Sequence, residues 1–141
     1  MGELRYAGDL TPAEAYRTLA SDPDAFLVDV RTAAEWTYVG LPDLSSLGRT
    51  TIRAQWQSFP DGAPNPGFLE ELSAAGVPTG APVLFICRSG ARSASAAVAA
   101  TQAGYAHAYN VTDGFEGPLD DTSHRGSRAG WKAAGLPWRQ S

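Results

Sequence analysis

The segment Pro82–Gly104, PVLFICRSGARSASAAVAATQAG, constrains the chain more than any other. Val83 to Ile86 is apolar, rich in strand formers and too short for a helix, and it stops at Cys87, the only cysteine. A glycine-bearing turn follows, so the pattern predicts a buried strand ending in a loop. From about Ser93 the alanines, Val98 and Gln102 predict a helix that closes at Gly104. The thiol then lies between a strand and a helix N-terminus. Backbone N–H groups, the helix dipole and the flanking Arg88 and Arg92 all favour thiolate over thiol there. The competing reading is a small buried hydrophobe at a strand end, the common fate of a lone cysteine. Two arginines and a glycine in the next five residues do not suit an apolar core.

The remaining segments alternate between helix and strand signals. Thr11-Pro12-Ala13-Glu14 is a capping box with proline at the first helical position, and it predicts a helix to about Leu19. Ala25 to Val30 reads as a strand covered on both faces, interrupted only by Asp29. A buried carboxylate is costly unless paired, and the arginines of the cysteine loop are candidate partners. The other reading is that Asp29 caps a turn. Thr32-Ala33-Ala34-Glu35 repeats the capping box and starts a short helix carrying Trp36. A long Gly/Pro-rich stretch from Leu44 to Gly67 holds one short candidate strand around Thr51 to Trp56. Trp36, Tyr38, Trp56 and Phe59 are expected either in a site wall or as core residues and loop anchors. A helix is expected from Asn65-Pro66 to about Gly76, and a strand over Ala108–Val111. Residues 116–130 are polar, with His124, Arg125 and Arg128 late in the segment. They read as a loop insertion that is either a solvated surface loop or a lid bringing positive charge to the site.

Strands alternating with helices imply an α/β fold, a central parallel β-sheet flanked by α-helices on both faces. Ligands of such sheets bind beyond the carboxyl ends of the strands, where Cys87, Asp29 and Arg31 all fall. With 141 residues and 43% hydrophobic content, the expectation is a single domain over residues 1–141. No stretch is apolar for long enough to span a bilayer, and the first residues lack a signal-peptide pattern, so a cytoplasmic protein without a membrane partner is expected. A net charge of −4 argues against a nucleic-acid partner. One cysteine permits neither an internal disulfide nor a redox pair, so any sulfur chemistry must finish on another molecule. One cysteine and two distant histidines make no metal site, and no cofactor is implied. Asn110-Val111-Thr112 matches a glycosylation sequon, uninformative without secretion.

Cys87-Arg88-Ser89-Gly90-Ala91-Arg92-Ser93 resembles the active-site loop of the rhodanese-like sulfurtransferases. The resemblance implies that Cys87 accepts a sulfane sulfur as a persulfide and passes it on. Arg88, Ser89, Gly90, Ala91, Arg92 and Ser93 would then bind the donor. Asp29-Val30-Arg31 is similar to the family's Asp-x-Arg at a strand end, which gives Asp29 and Arg31 supporting roles. The family's histidine after the glutamate–aromatic pair is absent, since this chain has Gly40-Leu41-Pro42-Asp43. Trp131 to Trp138 resembles the family's short last helix and Gly-Leu-Pro ending. Phosphatases related to the cell-cycle phosphatase Cdc25 share the fold, but their loop is one residue longer, and the shorter loop suits a sulfur atom better than a phosphate. The implied reaction takes sulfur from a small anionic donor such as thiosulfate to a thiol or cyanide acceptor. Two alternatives stay open: a non-enzymatic carrier or interaction module working with a sulfur-trafficking partner protein, and a phosphatase or arsenate reductase. Whether Arg92 binds the donor or pairs with Asp29 is also open at this point.

Overall fold

The computed structural model describes residues 5–57 and 62–140. Five parallel strands form one sheet: β1 (Gly8–Leu10), β2 (Phe26–Asp29), β4 (Ile52–Arg53), β5 (Pro82–Ile86) and β6 (His107–Val111). Their order across the sheet is β1-β6-β5-β2-β4, which places the strand leading to Cys87 at the centre. A second, two-stranded antiparallel pair joins β3 (Leu41–Pro42) to β7 (Trp138–Arg139). The helices are α1 (Pro12–Ser21), α2 (Ala33–Tyr38), α3 (Phe68–Ala74) and α4 (Ala91–Gln102), with a short 3-10 turn at Ser45–Leu47.

Alternation along the central strands sorts the core into two faces. Val28, Val83 and Phe85 pack with Phe68 and Leu72 of α3 and with Ala96, Ala97 and Ala100 of α4. Leu27, Leu84 and Ile86 pack with Ala15 and Leu19 of α1 and with Phe115 and Trp131. Apart from Asp29 at the end of β2, each of these strands is a continuous apolar run because both of its faces are covered. The α/β expectation, a parallel sheet between helices, therefore holds.

Both predicted capping boxes form. The Thr11 and Thr32 side chains accept from the backbone N–H groups of Glu14 and Glu35, whose carboxylates reach back to the cap. Other boundaries move. α4 begins at Ala91, two residues before Ser93, because Gly90 takes a left-handed φ of 114° and turns the chain directly into the helix. Residues 131–135 make successive turns and no α-helix, so the expected last helix is corrected: Gly130 and Gly135 both sit at positive φ and break it. β1, β3 and β7 are short strands without a hydrophobic run of their own. Phe59 lies outside the described residues. No helix among the described residues is long and apolar enough to cross a membrane.

Candidate active site

β5 delivers Cys87 to the carboxyl edge of the sheet, and the loop Arg88–Gly90 returns the chain into α4. The thiol is 1% exposed. The Gly90 N–H donates to Sγ at 3.1 Å, and Ser93 Oγ stands 3.2 Å from it. Starting α4 two residues early puts Arg92 and Ser93 in its first turn, beside the sulfur, and aims the positive end of a twelve-residue helix at it. A second segment clamps the loop from outside. Cys87 O accepts from the Phe115 N–H (2.8 Å), and Arg88 O accepts from the N–H groups of Glu116 (2.9 Å) and Gly117 (3.1 Å). Gly114, at φ 59°, passes so close that a Cβ there would collide with the carbonyl of Cys87.

Three arginines come near this loop, and their partners separate them. Arg31 and Asp29 form a fully buried pair, Nη2 to Oδ2 at 2.7 Å, with Nε at 3.0 Å from Oδ1. Asp29 also accepts from the Arg31 backbone N–H at 3.1 Å, so it caps its own turn as well. Its partner is thus Arg31 and neither loop arginine, which corrects the pairing expected from sequence. The reason is local: the chain turns after Val30 and folds the arginine back over the carboxylate. Arg31 Nη2 further donates to Gly40 O at 2.6 Å, and its guanidinium lies 4.4 Å from the ring centre of Phe115, on the α1 face of the sheet.

Arg92 pairs with Glu35 in a bidentate bridge of 2.8 and 2.9 Å, tying the first turn of α4 to α2. The Arg92 pairing left open by the sequence goes to Glu35, with Asp29 already taken. Burial pushes the Glu35 carboxyl up, but hydrogen bonds from Arg92 and the Thr32 N–H, with the charges of Arg92 and Arg31, outweigh it and hold the group at about 2. Arg92 is held above its ordinary value, first by its hydrogen bonds to Glu35 and against its partial burial. Arg88 is exposed, and among the described residues it has no carboxylate partner. Ser89 is exposed beside it, and Gly90 and Ala91 form the turn into α4.

The aromatic wall is distributed differently from the expectation. Trp56 packs edge-on to Phe68 at 5.2 Å and belongs to the core, while Tyr38 is 79% exposed. Trp36 is half-buried with the Arg53 guanidinium 5.8 Å from its ring centre. The ring nearest the buried ion pair is Phe115, which meets Trp138 edge-on at 6.0 Å, with Lys132 Nζ 4.3 Å from the Trp138 ring centre. Residues 116–130 fold onto themselves: Asp120 accepts from Thr122, Ser127 and the His124 N–H, and Arg125 donates to Gly117 O at 2.8 Å. None of their hydrogen bonds reaches the cysteine side chain.

Two participants go beyond what the sequence marks out. Glu35 is visible there only as a capping residue. Asn110 is visible only as a sequon, yet its side chain is 6% exposed and accepts from Ser93 Oγ at 2.6 Å. The signal available for Asn110 is its place as a polar residue in the middle of an otherwise apolar strand.

The sequence matches the family described as the STR4 middle domain over residues 8–141. An uncharacterized protein from Rickettsia conorii, RC0915, is 40% identical over 93% of this chain and 96% of its own length. Rhodanese-like domain-containing protein 4, chloroplastic, from Arabidopsis thaliana is 30% identical over 88% of this chain, which spans 24% of that longer protein. Among solved structures, Rv0390 from M. tuberculosis superposes with a TM-score of 0.88 at 55% identity, covering 96% of this chain and 99% of its own. The polysulfide-sulfur transferase homodimer from Wolinella succinogenes superposes with a TM-score of 0.63 at 25% identity, over 94% of this chain and 78% of its own. The central parallel sheet, the cysteine loop between β5 and α4, and these matches together place the chain in the STR4 middle domain family of rhodanese-like, sulfurtransferase-type domains.

Proposed function

We propose that this chain is a sulfurtransferase that carries a sulfane sulfur as a persulfide on Cys87, from a small anionic donor such as thiosulfate to a thiol or cyanide acceptor. The observation that carries the reading is the small ring around Sγ. Only four residues separate Cys87 from Arg92, and Gly90 already donates its N–H to the sulfur at 3.1 Å. The polysulfide-sulfur transferase of Wolinella succinogenes has the same fold, which agrees with sulfur chemistry on this scaffold.

In the forward half-reaction the Cys87 thiolate attacks the outer sulfur of thiosulfate. The Sγ–S bond forms, the S–S bond of the donor breaks, and sulfite leaves with the electron pair. The negative charge moves to the outer sulfur, toward the loop N–H groups and the N-terminus of α4. In the second half-reaction the acceptor attacks that outer sulfur and Cys87 leaves as thiolate. Arg88, exposed and without a carboxylate partner among the described residues, is the cation that meets the donor. Arg92 is already bonded to Glu35 and holds the loop against α2. Ser93 touches the sulfur itself, and Asp29 and Arg31 brace the sheet edge beneath.

The test is intact mass after incubation with thiosulfate. The wild type gains one sulfur atom, cyanide removes it, Cys87→Ser never gains it, and Arg88→Ala needs more thiosulfate to reach the same loading. Cys87-dependent hydrolysis of a phosphate ester would instead support the phosphatase reading. A second reading, a carrier loaded by a partner protein, draws on the burial of the thiol at 1% exposure. Loading by a protein persulfide without loading by free thiosulfate would select it.

A further inference from the structure

The polar contacts of Cys87 continue well beyond the loop. Ser93 Oγ is placed to donate either to Sγ at 3.2 Å or to Asn110 Oδ1 at 2.6 Å, with a single proton for the two acceptors, and Asn110 Nδ2 donates to Asp9 Oδ1 at 3.2 Å. The same Asp9 oxygen accepts the Tyr6 hydroxyl at 2.8 Å. The chain runs from α4 through the buried penultimate residue of β6 to the edge strand β1.

Its direction follows from counting protons. An ionised carboxylate only accepts, so Asn110 must turn its NH2 group toward Asp9 and its carbonyl oxygen toward Ser93. That oxygen only accepts too, so Ser93 must give it the one proton its hydroxyl owns. What Ser93 then shows to Sγ is a lone pair. A lone pair suits a sulfur that carries a proton, or one with no charge of its own, and it repels a thiolate. Forming the thiolate requires the hydroxyl to swing toward Sγ and leave a buried amide oxygen unpaired.

The geometry points to Asp9, acting through Asn110 and Ser93, as a positioning residue that biases Cys87 toward the persulfide-loaded state and against the free thiolate. This rests on the sulfur-transfer reading above. In the exchange of thiolate and thiosulfate for persulfide and sulfite, the charge leaves Sγ for the outer sulfur. The relay therefore penalises one side only. Gly90 N–H and the N-terminus of α4 act in the opposite sense on the same atom, with Arg92 close by and neutralised by Glu35.

Asp9→Asn tests it, because Asp9 is exposed on an edge strand and the swap keeps its shape. The amide introduced by that substitution can donate to Asn110, whose own amide then turns over and donates to Ser93, freeing the hydroxyl for Sγ. At mildly acidic pH the variant should be alkylated by iodoacetamide about fivefold faster, the worth of one ordinary hydrogen bond. At a fixed ratio of thiosulfate to sulfite it should hold less persulfide, and discharge to cyanide should quicken. In a Ser93→Ala background, adding the Asp9 substitution should change none of these, since the wire is already cut. Unchanged alkylation in Asp9→Asn, or the same acceleration with Ser93→Ala, overturns the relay. The alkylation readout needs no sulfur donor. A wild type that never forms persulfide therefore sinks the sulfur-transfer reading and the persulfide bias with it, whereas unaltered alkylation with normal persulfide sinks the relay alone.

Discussion

Two arginine–carboxylate pairs flank the cysteine loop, and they do different work because water reaches one of them. Arg31–Asp29 is wholly enclosed, at 0% side-chain exposure for both partners, with Gly40 O and the face of Phe115 around the guanidinium. Arg92–Glu35 keeps 22% and 20% of its side chains in solvent and bridges two helices. The enclosed pair joins residues two apart in sequence, so it forms with its own turn. The open pair joins residues 57 apart and can only form once α2 and α4 have been brought together by the sheet. One is a fixed part of the sheet edge, and the other is a latch across the site.

The larger loss on substitution falls on the enclosed pair. Asp29→Ala leaves a guanidinium buried without its counter-charge, which should cost about 3–5 kcal/mol in urea unfolding. Replacing both partners together, as Asp29→Leu with Arg31→Met, should recover most of that loss, because the penalty lies in the unpaired charge. If the single variant unfolds at the wild-type midpoint, Arg31 is not enclosed as described.

The latch gives a smaller loss and a gain of function. Glu35→Gln should cost about 1 kcal/mol, as befits a partly solvated pair. It also releases Arg92 as a second cation beside Arg88. The thiosulfate concentration for half-maximal persulfide should fall by about two- to fivefold, as expected for one added charge-assisted contact. That fall should fade with added salt. An unchanged thiosulfate requirement would mean that Arg92 faces away from the donor even when free.

The same contrast explains what the sequence can tell. The Asp29–Arg31 turn, the two capping boxes and the β5–Cys87–α4 passage are local, and each is readable from residues a few positions apart. Asp29 is nonetheless matched to the wrong arginines from sequence, since Arg31 stands out as a motif residue and not as a partner. Arg92 with Glu35 and Ser93 with Asn110 join residues 57 and 17 apart, and no period or propensity encodes such meetings. Strands β3 and β7, two residues each, are held by pairing across most of the chain and carry no hydrophobic run to announce them. Electrostatic activation of Cys87 by Arg88 and Arg92 together is the reading from the loop alone. Glu35 offsets one of those charges by pairing with Arg92, which leaves Arg88 as the loop cation without a carboxylate partner among the described residues.

The smallest effect is the response of the latch to acid. The folded protein holds the Glu35 carboxyl at about 2, below its ordinary 4.5. A depressed carboxyl contributes stability that is fully present above the ordinary value and is lost as pH falls through the folded one. Arg92 keeps its charge throughout, so the titration belongs to Glu35 alone. The difference in unfolding free energy between wild type and Glu35→Gln should therefore stay constant from neutral pH down to about 4.5 and shrink toward zero by about 2. Buried Arg31–Asp29 is common to both proteins and cancels from the difference. A difference that persists undiminished at about pH 2 would show that Glu35 supports the site through packing and its cap on Thr32, with its charge playing no part.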